Sequence, residues 1–190
     1  LPPADDNGAA GAPARLESVR RWDIVNWNIS HRADPMALPI ADRHYNRQKP
    51  GSPQFVPPGR CLVLLRKDAL WVTSWPMYAR HRWEGAWVNT CFRNEGDILS
   101  SLLIRDGVAA TIWKYPITPK LGMITFINTE KVRKKRDWGR CYRKAGFVPD
   151  GETKGGLIAL RLHPSDMPKP KVPNGASLSL FEDRVPGICR

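Results

Sequence analysis

The chain has 190 residues, 42% of them apolar, which is enough side chain to build one core of ordinary domain size. Lys and Arg number 30 against 18 Asp and Glu, a formal charge of +12 that favours a polyanionic partner, nucleic acid first among them. No stretch approaches the roughly 20 apolar residues of a membrane span, and Leu1-Pro2-Pro3 lacks the basic and apolar segments of a signal peptide, so a cytoplasmic protein without a membrane partner is expected.

Residues 1–17 are rich in Pro, Ala, Gly and Asp with no apolar period and read as a flexible arm. The folded domain is expected over 18–163. Inside it, 61–65 and 69–75 are β-prone runs divided by the charged turn Arg66-Lys67-Asp68, the pattern of an antiparallel hairpin. Residues 86–92 predict a third strand. Arg93-Asn-Glu-Gly96-Asp97 then breaks the pattern, and Ile98, Leu99, Leu102, Leu103 and Val108 recur at helical spacing, with Asp97 placed to cap the helix. A further strand is expected over 122–127, a short helix over 137–145 ended by Gly146, and a last strand over 156–162. From Pro164 onward, Pro168, Pro170, Pro173 and Pro186 predict an extended tail over 164–190 with neither a long helix nor a central strand, and one short element at 177–181. The order implies an α/β domain, a mixed and largely antiparallel sheet flanked by helices. Cys61, Cys91, Cys141 and Cys189 are widely separated, with no CxxC and no Cys/His pair at zinc spacing. Reduced thiols and no structural metal are expected, the first three packed inside.

Two constellations carry chemistry. Arg93-x-x-Gly96 lies where a strand hands over to a helix, so its backbone N–H groups and the helix dipole suit an anion; an ordinary turn is the plainer reading of the same tetrad. Tyr142-Arg-Lys-Ala-Gly146-Phe147 follows the next strand. Taken with the RxxG loop it resembles the signature of the GNAT N-acetyltransferase superfamily, over roughly residues 60–162, and implies a GNAT-like fold. Ile98 departs from that pattern, because the superfamily has Gly or Ala there. A second departure is the basic insertion Lys131-Val-Arg133-Lys134-Lys135-Arg136 between strand and helix. With Asp42-Arg-His44-Tyr45, Phe92-Arg-Asn-Glu-Gly96, Ser100-Ser101 and Gly139-Arg-Cys-Tyr142, the sequence is similar to one branch of the superfamily, the Mom-type DNA-modification proteins of bacteriophages, which alter adenine and block host restriction.

The resemblance implies acetyl-CoA as cofactor and DNA as partner, double-stranded and with a base drawn out of the stack. It assigns Tyr142 as proton donor to the departing thiolate; core packing is the alternative for that side chain. Cys91, Phe92, Arg93, Asn94 and Gly96 would hold the cofactor, with Ser100 and Ser101 on the first helical turn. His44, whose ordinary pKa near 6.5 suits a general base, could equally touch phosphate. Tyr45, Arg47, Trp83, Arg133, Lys134, Lys135, Arg136 and Arg140 are the candidate nucleic-acid contacts, Tyr45 by stacking on a base. Among eight tryptophans, Trp71 and Trp87 on strands suit the core, and Trp83 beside Arg82 suits DNA. Competing functions are acyl transfer to a protein or small-molecule amine, and a non-catalytic DNA-binding protein on the same scaffold.

Overall fold

A computed structural model describes residues 24–76, 82–132 and 135–176. Eight strands form one mixed sheet: β1 (Ile24–Ser30), β2 (Arg60–Leu65), β3 (Ala69–Trp75), β4 (Trp87–Asn94), β5 (Met123–Ile127), β6 (Val148–Glu152), β7 (Ile158–Leu162) and β8 (Val172–Asn174). Their spatial order is β6-β7-β5-β4-β3-β2-β1-β8. Only β4 with β5 and β1 with β8 run parallel; the remaining neighbours are antiparallel. Among the described residues three α-helices accompany the sheet: α1 (Leu38–Asp42), α2 (Ser100–Lys114) and α3 (Arg140–Lys144). The protein is thus α/β with few flanking helices. None of the described helices is long and apolar enough to cross a membrane.

Alternation along the strands divides the core. Leu62, Leu64, Trp71 and Trp87 point to the side that packs on α2 and α3, while Val63, Leu70 and Val72 point to the side covered by Ile40 and Ala41 of α1. Helix α2 lies close to the sheet because Gly107 leaves room for the Trp71 indole; a Cβ there would stand 2.6 Å from Cδ2 of that ring. The indole N–H of Trp71 donates to Thr73 Oγ1 at 2.8 Å, which bonds Thr111 Oγ1 at 3.1 Å, and Thr111 donates to Gly107 O at 2.7 Å. These buried polar groups satisfy one another, as the interior requires. Trp27 Nε1 donates to Leu103 O at 3.0 Å and ties β1 to the same helix.

The hairpin of β2 and β3 forms with Arg66 N donating to Ala69 O at 2.8 Å across the expected turn. The helix after β4 differs from its expectation. It begins at Ser100, its N-cap is Leu99 with no side-chain cap bond, and Asp97 does not cap it. Leu99 and Leu102 are 67% and 53% exposed, so the helical spacing that included them overstated the buried face. The second expected helix is shorter, Arg140–Lys144 after a 3-10 turn at Lys135–Asp137, and Gly146 follows it with φ 102°. Of the expected interior thiols, Cys91 is buried, whereas Cys61 and Cys141 are half-buried; all three are free. The sheet also reaches beyond the expected strands. β1 precedes the Asp42–Tyr45 segment, β6 carries Pro149 on one outer strand, and β8 carries Pro173 on the other, where a missing N–H is tolerated. Part of the Pro-rich tail is therefore an edge strand. The expected N-terminal arm, the element at 177–181 and Cys189 lie outside the described residues.

Candidate functional site

Strands β4 and β5 pair through three positions only, Trp87 with Met123, Val88 with Ile124 and Asn89 with Thr125, and then part. Opposite β3, the register slips at the same point: Thr73 faces Asn89 and Val72 faces Cys91, leaving Thr90 as a bulged residue. The extra residue reverses the alternation. Asn89 faces the α2/α3 side, whereas Cys91 turns to the α1 side and Phe92 back toward α3. Beyond the bulge, Thr90–Asn94 have no partner on the β5 side, and a cavity of about 260 Å3 opens in the gap. That is slightly under the roughly 300 Å3 at which drug-sized ligand sites begin, room for a slender arm rather than a whole cofactor.

The two faces of the sheet deliver the lining. From one side comes α3, with Gly139, Cys141 and Tyr142; from the other the segment after α1, with His44, Tyr45 and Asn46. Tyr142 and His44, separated by almost a hundred residues, line the same cavity. Tyr142 is 6% exposed and its hydroxyl donates to Asn89 Oδ1. Burial is the main reason its phenol is held well above its ordinary value, so it keeps its proton at any physiological pH. Phe92 and Phe147 pack edge-on against its ring.

His44 is pushed down to about 4, first by burial and second by the Arg93 guanidinium, and its ring is neutral. Its Nδ1 accepts the Asn46 backbone N–H at 3.3 Å, which leaves the hydrogen on Nε2. In this tautomer Nε2 donates, so service as a base requires the ring to exchange its hydrogen bond with Asn46. Tyr45 stacks on His44 with centroids 4.6 Å apart, and its hydroxyl reaches the Asn128 backbone at the end of β5. One face of its ring is therefore taken by His44. Burial also raises the thiols of Cys91, to about 12, and Cys141, so both are neutral. Among the described residues lining the cavity, Arg93 alone carries a charge.

The loop after β4 is built differently from an anion cradle. Asn94 closes it on itself: Oδ1 accepts Gly96 N at 3.0 Å, and Nδ2 donates to Ile98 O at 2.7 Å and Ser100 Oγ at 3.0 Å. A Cβ at Gly96 would overlap the Asp68 carboxylate, and Glu95 N bonds Asp68 O at 2.8 Å. The glycine is needed for this close approach rather than for a positive φ. Arg93 donates to Glu95 at 2.5 Å and to Arg43 O at 2.5 Å, and Arg43 forks onto the same carboxylate at 2.7 and 2.6 Å. Two arginines hold the Glu95 carboxyl down to about 2. Gly96, Ser100 and Ser101 do not line the cavity. The backbone donors of Glu95 and Gly96 are engaged and a carboxylate lies against Gly96, so these two N–H groups are not offered to a diphosphate.

Arg47 is spent inside its own loop, on Asp42 at 2.8 Å and the carbonyls of Gln54 and Ser52 at 3.1 and 2.6 Å, and it is not offered to a phosphate. Trp83 is 3% exposed, donates to Asp150 at 2.9 Å and packs on Phe126, which makes it a core residue and not a surface for DNA. Arg133 and Lys134 lie outside the described residues, and Lys135 is described only as the start of the 3-10 turn. Arg136 and Arg140 are exposed beside the cleft; Arg140 and Arg143 share Asp137, and Arg143 also lies over the Trp138 ring.

Sequence reasoning took the strand backbone over 89–92 for the cofactor arm but missed the Asn89 side chain and Thr125 as cavity residues. A polar pair facing each other in otherwise apolar strands is the signal that would have marked Asn89 and Thr125. No protein-family model, curated protein or solved structure matches the chain.

Proposed function

We propose that the protein is a GNAT-type acyltransferase that uses acetyl-CoA to modify a base in DNA, similar in action to the Mom-type phage proteins. One observation carries this reading: two parallel strands part after a bulge at Thr90, and the gap meets a buried, protonated Tyr142. The unpaired edge of β4 at Thr90–Asn94 offers backbone donors and acceptors to the amides of a pantetheine-like arm, as an added strand would use them. When bound, acetyl-CoA supplies a thioester carbonyl open to a nitrogen nucleophile, with a thiolate as leaving group. Tyr142 holds at its hydroxyl the proton that such a leaving group needs. His44, neutral and on the opposite wall, holds the acceptor by its Nε2–H and takes the acceptor's proton once its tautomer has changed.

An uncharged cavity with one arginine favours a neutral acceptor, such as the exocyclic amine of a base, over a protonated lysine or polyamine. The net charge of +12 and the exposed Arg136, Arg140 and Lys144 near α3 favour DNA as its carrier. Mass spectrometry of nucleosides from DNA coexpressed with the active, soluble protein tests the reading: a new modified nucleoside, absent with Tyr142→Phe, is expected, and an unaltered profile would overturn it. The closed loop at Asn94 and Gly96 favours a second reading, a DNA-binding protein on this scaffold that does not grip acetyl-CoA. It predicts tight, salt-sensitive DNA binding and no acetyl-CoA binding.

A further inference from the structure

Asn89 is 3% exposed and lies at the point where the strands part, so each of its polar atoms must find a partner within the protein. Its Nδ2 donates to Val72 O at 2.9 Å and Cys91 O at 3.2 Å. Both amide hydrogens are thereby committed to carbonyls on the two sides of the bulge, and the carboxamide cannot be turned over without leaving its oxygen facing two other acceptors. Its orientation is fixed, with Oδ1 toward α3. The Tyr142 hydroxyl meets that oxygen, and an amide oxygen can only accept. The phenolic hydrogen therefore points at the strand, and the lone pairs of the phenol oxygen remain for whatever enters the cavity.

We propose that Asn89 is the positioning residue for Tyr142: its fixed carboxamide sets the direction of the phenolic hydrogen and ties that direction to the bulge that opens the cleft. Thr125 completes the arrangement. Its one hydroxyl hydrogen goes to the Asn89 backbone O at 3.2 Å, and its oxygen lies beside the Tyr142 phenol, so that turning that hydrogen from the carbonyl would direct it at a phenolate. To reach a leaving thiolate the phenolic hydrogen must first turn from Asn89 Oδ1 into the cavity; once the O–H bond breaks and the proton passes to sulfur, the charge left on the phenol oxygen faces Asn89 Oδ1, which repels it, and Thr125, whose hydroxyl can turn to it. Asn89 thus favours the protonated resting form and Thr125 the spent one. The other titratable groups facing the phenol are Cys141 beside it on α3, Cys91 on β4 and Tyr45 from the segment after α1, all neutral.

The consequence for turnover rests on the acyl-transfer reading, whereas the direction of the hydroxyl does not, and the test separates the two. The Fermi doublet of tyrosine in the resonance Raman spectrum reports whether a phenol donates or accepts, and subtracting the spectrum of Tyr142→Phe isolates Tyr142. The native protein is expected to give the ratio of a strong donor, and Asn89→Leu the ratio of a phenol that has lost its acceptor, with Thr125→Val leaving the donor ratio in place. A non-donor ratio in the native protein, or no change in Asn89→Leu, would overturn the proposal. The native measurement decides even if Asn89→Leu does not fold. In steady-state CoA release, a phenol freed from Asn89 in Asn89→Leu should change kcat by about tenfold or more with KM for acetyl-CoA little changed. If native protein releases no CoA, acyl transfer fails as a function while the doublet still decides the role of Asn89.

Discussion

His44→Gln should make the protein less sensitive to acid. In the folded protein the imidazole is held at about 4 by burial and by Arg93, against 6.5 for the exposed ring. The unfolded chain therefore binds a proton that the folded chain refuses, and stability falls as pH drops below 6.5, levelling off near 4. Each pH unit inside that window is worth about 1.4 kcal/mol, so between pH 7 and 4.5 the native protein should lose about 2 kcal/mol through this ring alone. Glu95, held down to about 2 by its two arginines, contributes a loss of the same sign, but only as pH falls below its ordinary value of 4.5. Asp34 and Asp42, also lowered, act from 3.8 downward. The interval from 6.5 to 4.5 thus isolates His44 from these carboxylates. Urea unfolding of native protein and His44→Gln at pH 7 and pH 4.5 measures the difference. A smaller loss in the variant, by about 2 kcal/mol, is expected; parallel losses would show that the ring is not held neutral in the cleft.

Gly107→Ala should destabilise the fold by about 1–2 kcal/mol in denaturant unfolding, because a methyl group 2.6 Å from the Trp71 ring forces repacking that outweighs the gain in helix propensity. Tyr142→Phe should reduce acyl transfer by about 10²–10⁴-fold in a CoA-release assay. It should cost only about 1 kcal/mol of stability, since one acceptor, Asn89 Oδ1, is left unpaired. Alanine at Arg133, Lys134, Lys135 and Arg136 together should flatten the plot of log affinity for duplex DNA against log salt by about 0.9 for each phosphate that is no longer neutralised, read by fluorescence anisotropy.

The hairpin and the strand-loop-helix order were legible because they depend on local patterns, period-two alternation and a charged turn, whereas the approach of Tyr142 to the strand before the loop was expected only through the resemblance. His44 was legible as chemistry but not as geometry. Its approach to Tyr142 depends on the strands parting, and that in turn on one extra residue at Thr90, which leaves no mark in a hydrophobic pattern. The same bulge explains why Cys91 and Asn89, two apart, face opposite sides. The Gly96 loop misled for a different reason. A glycine at a strand-to-helix turn reads as a phosphate cradle, whereas here its missing side chain admits Asp68, a residue distant in sequence whose approach only the β3–β4 pairing creates. Trp83 beside arginine read as a stacking surface, but Asp150 and Phe126, brought by β6 and β5, enclose it. The edge strands β6 and β8 escaped notice because each contains a proline, which local reading takes as a breaker.

Calorimetric titration of the full chain with acetyl-CoA, set beside Thr90→Trp, tests the cleft most directly, because a bulky ring at the bulge fills the gap. Saturable binding to the native protein at a single site, abolished in the folded variant, is the expected result. Absence of binding to native protein, or equal binding by Thr90→Trp, would mean that the gap between β4 and β5 does not receive a thioester.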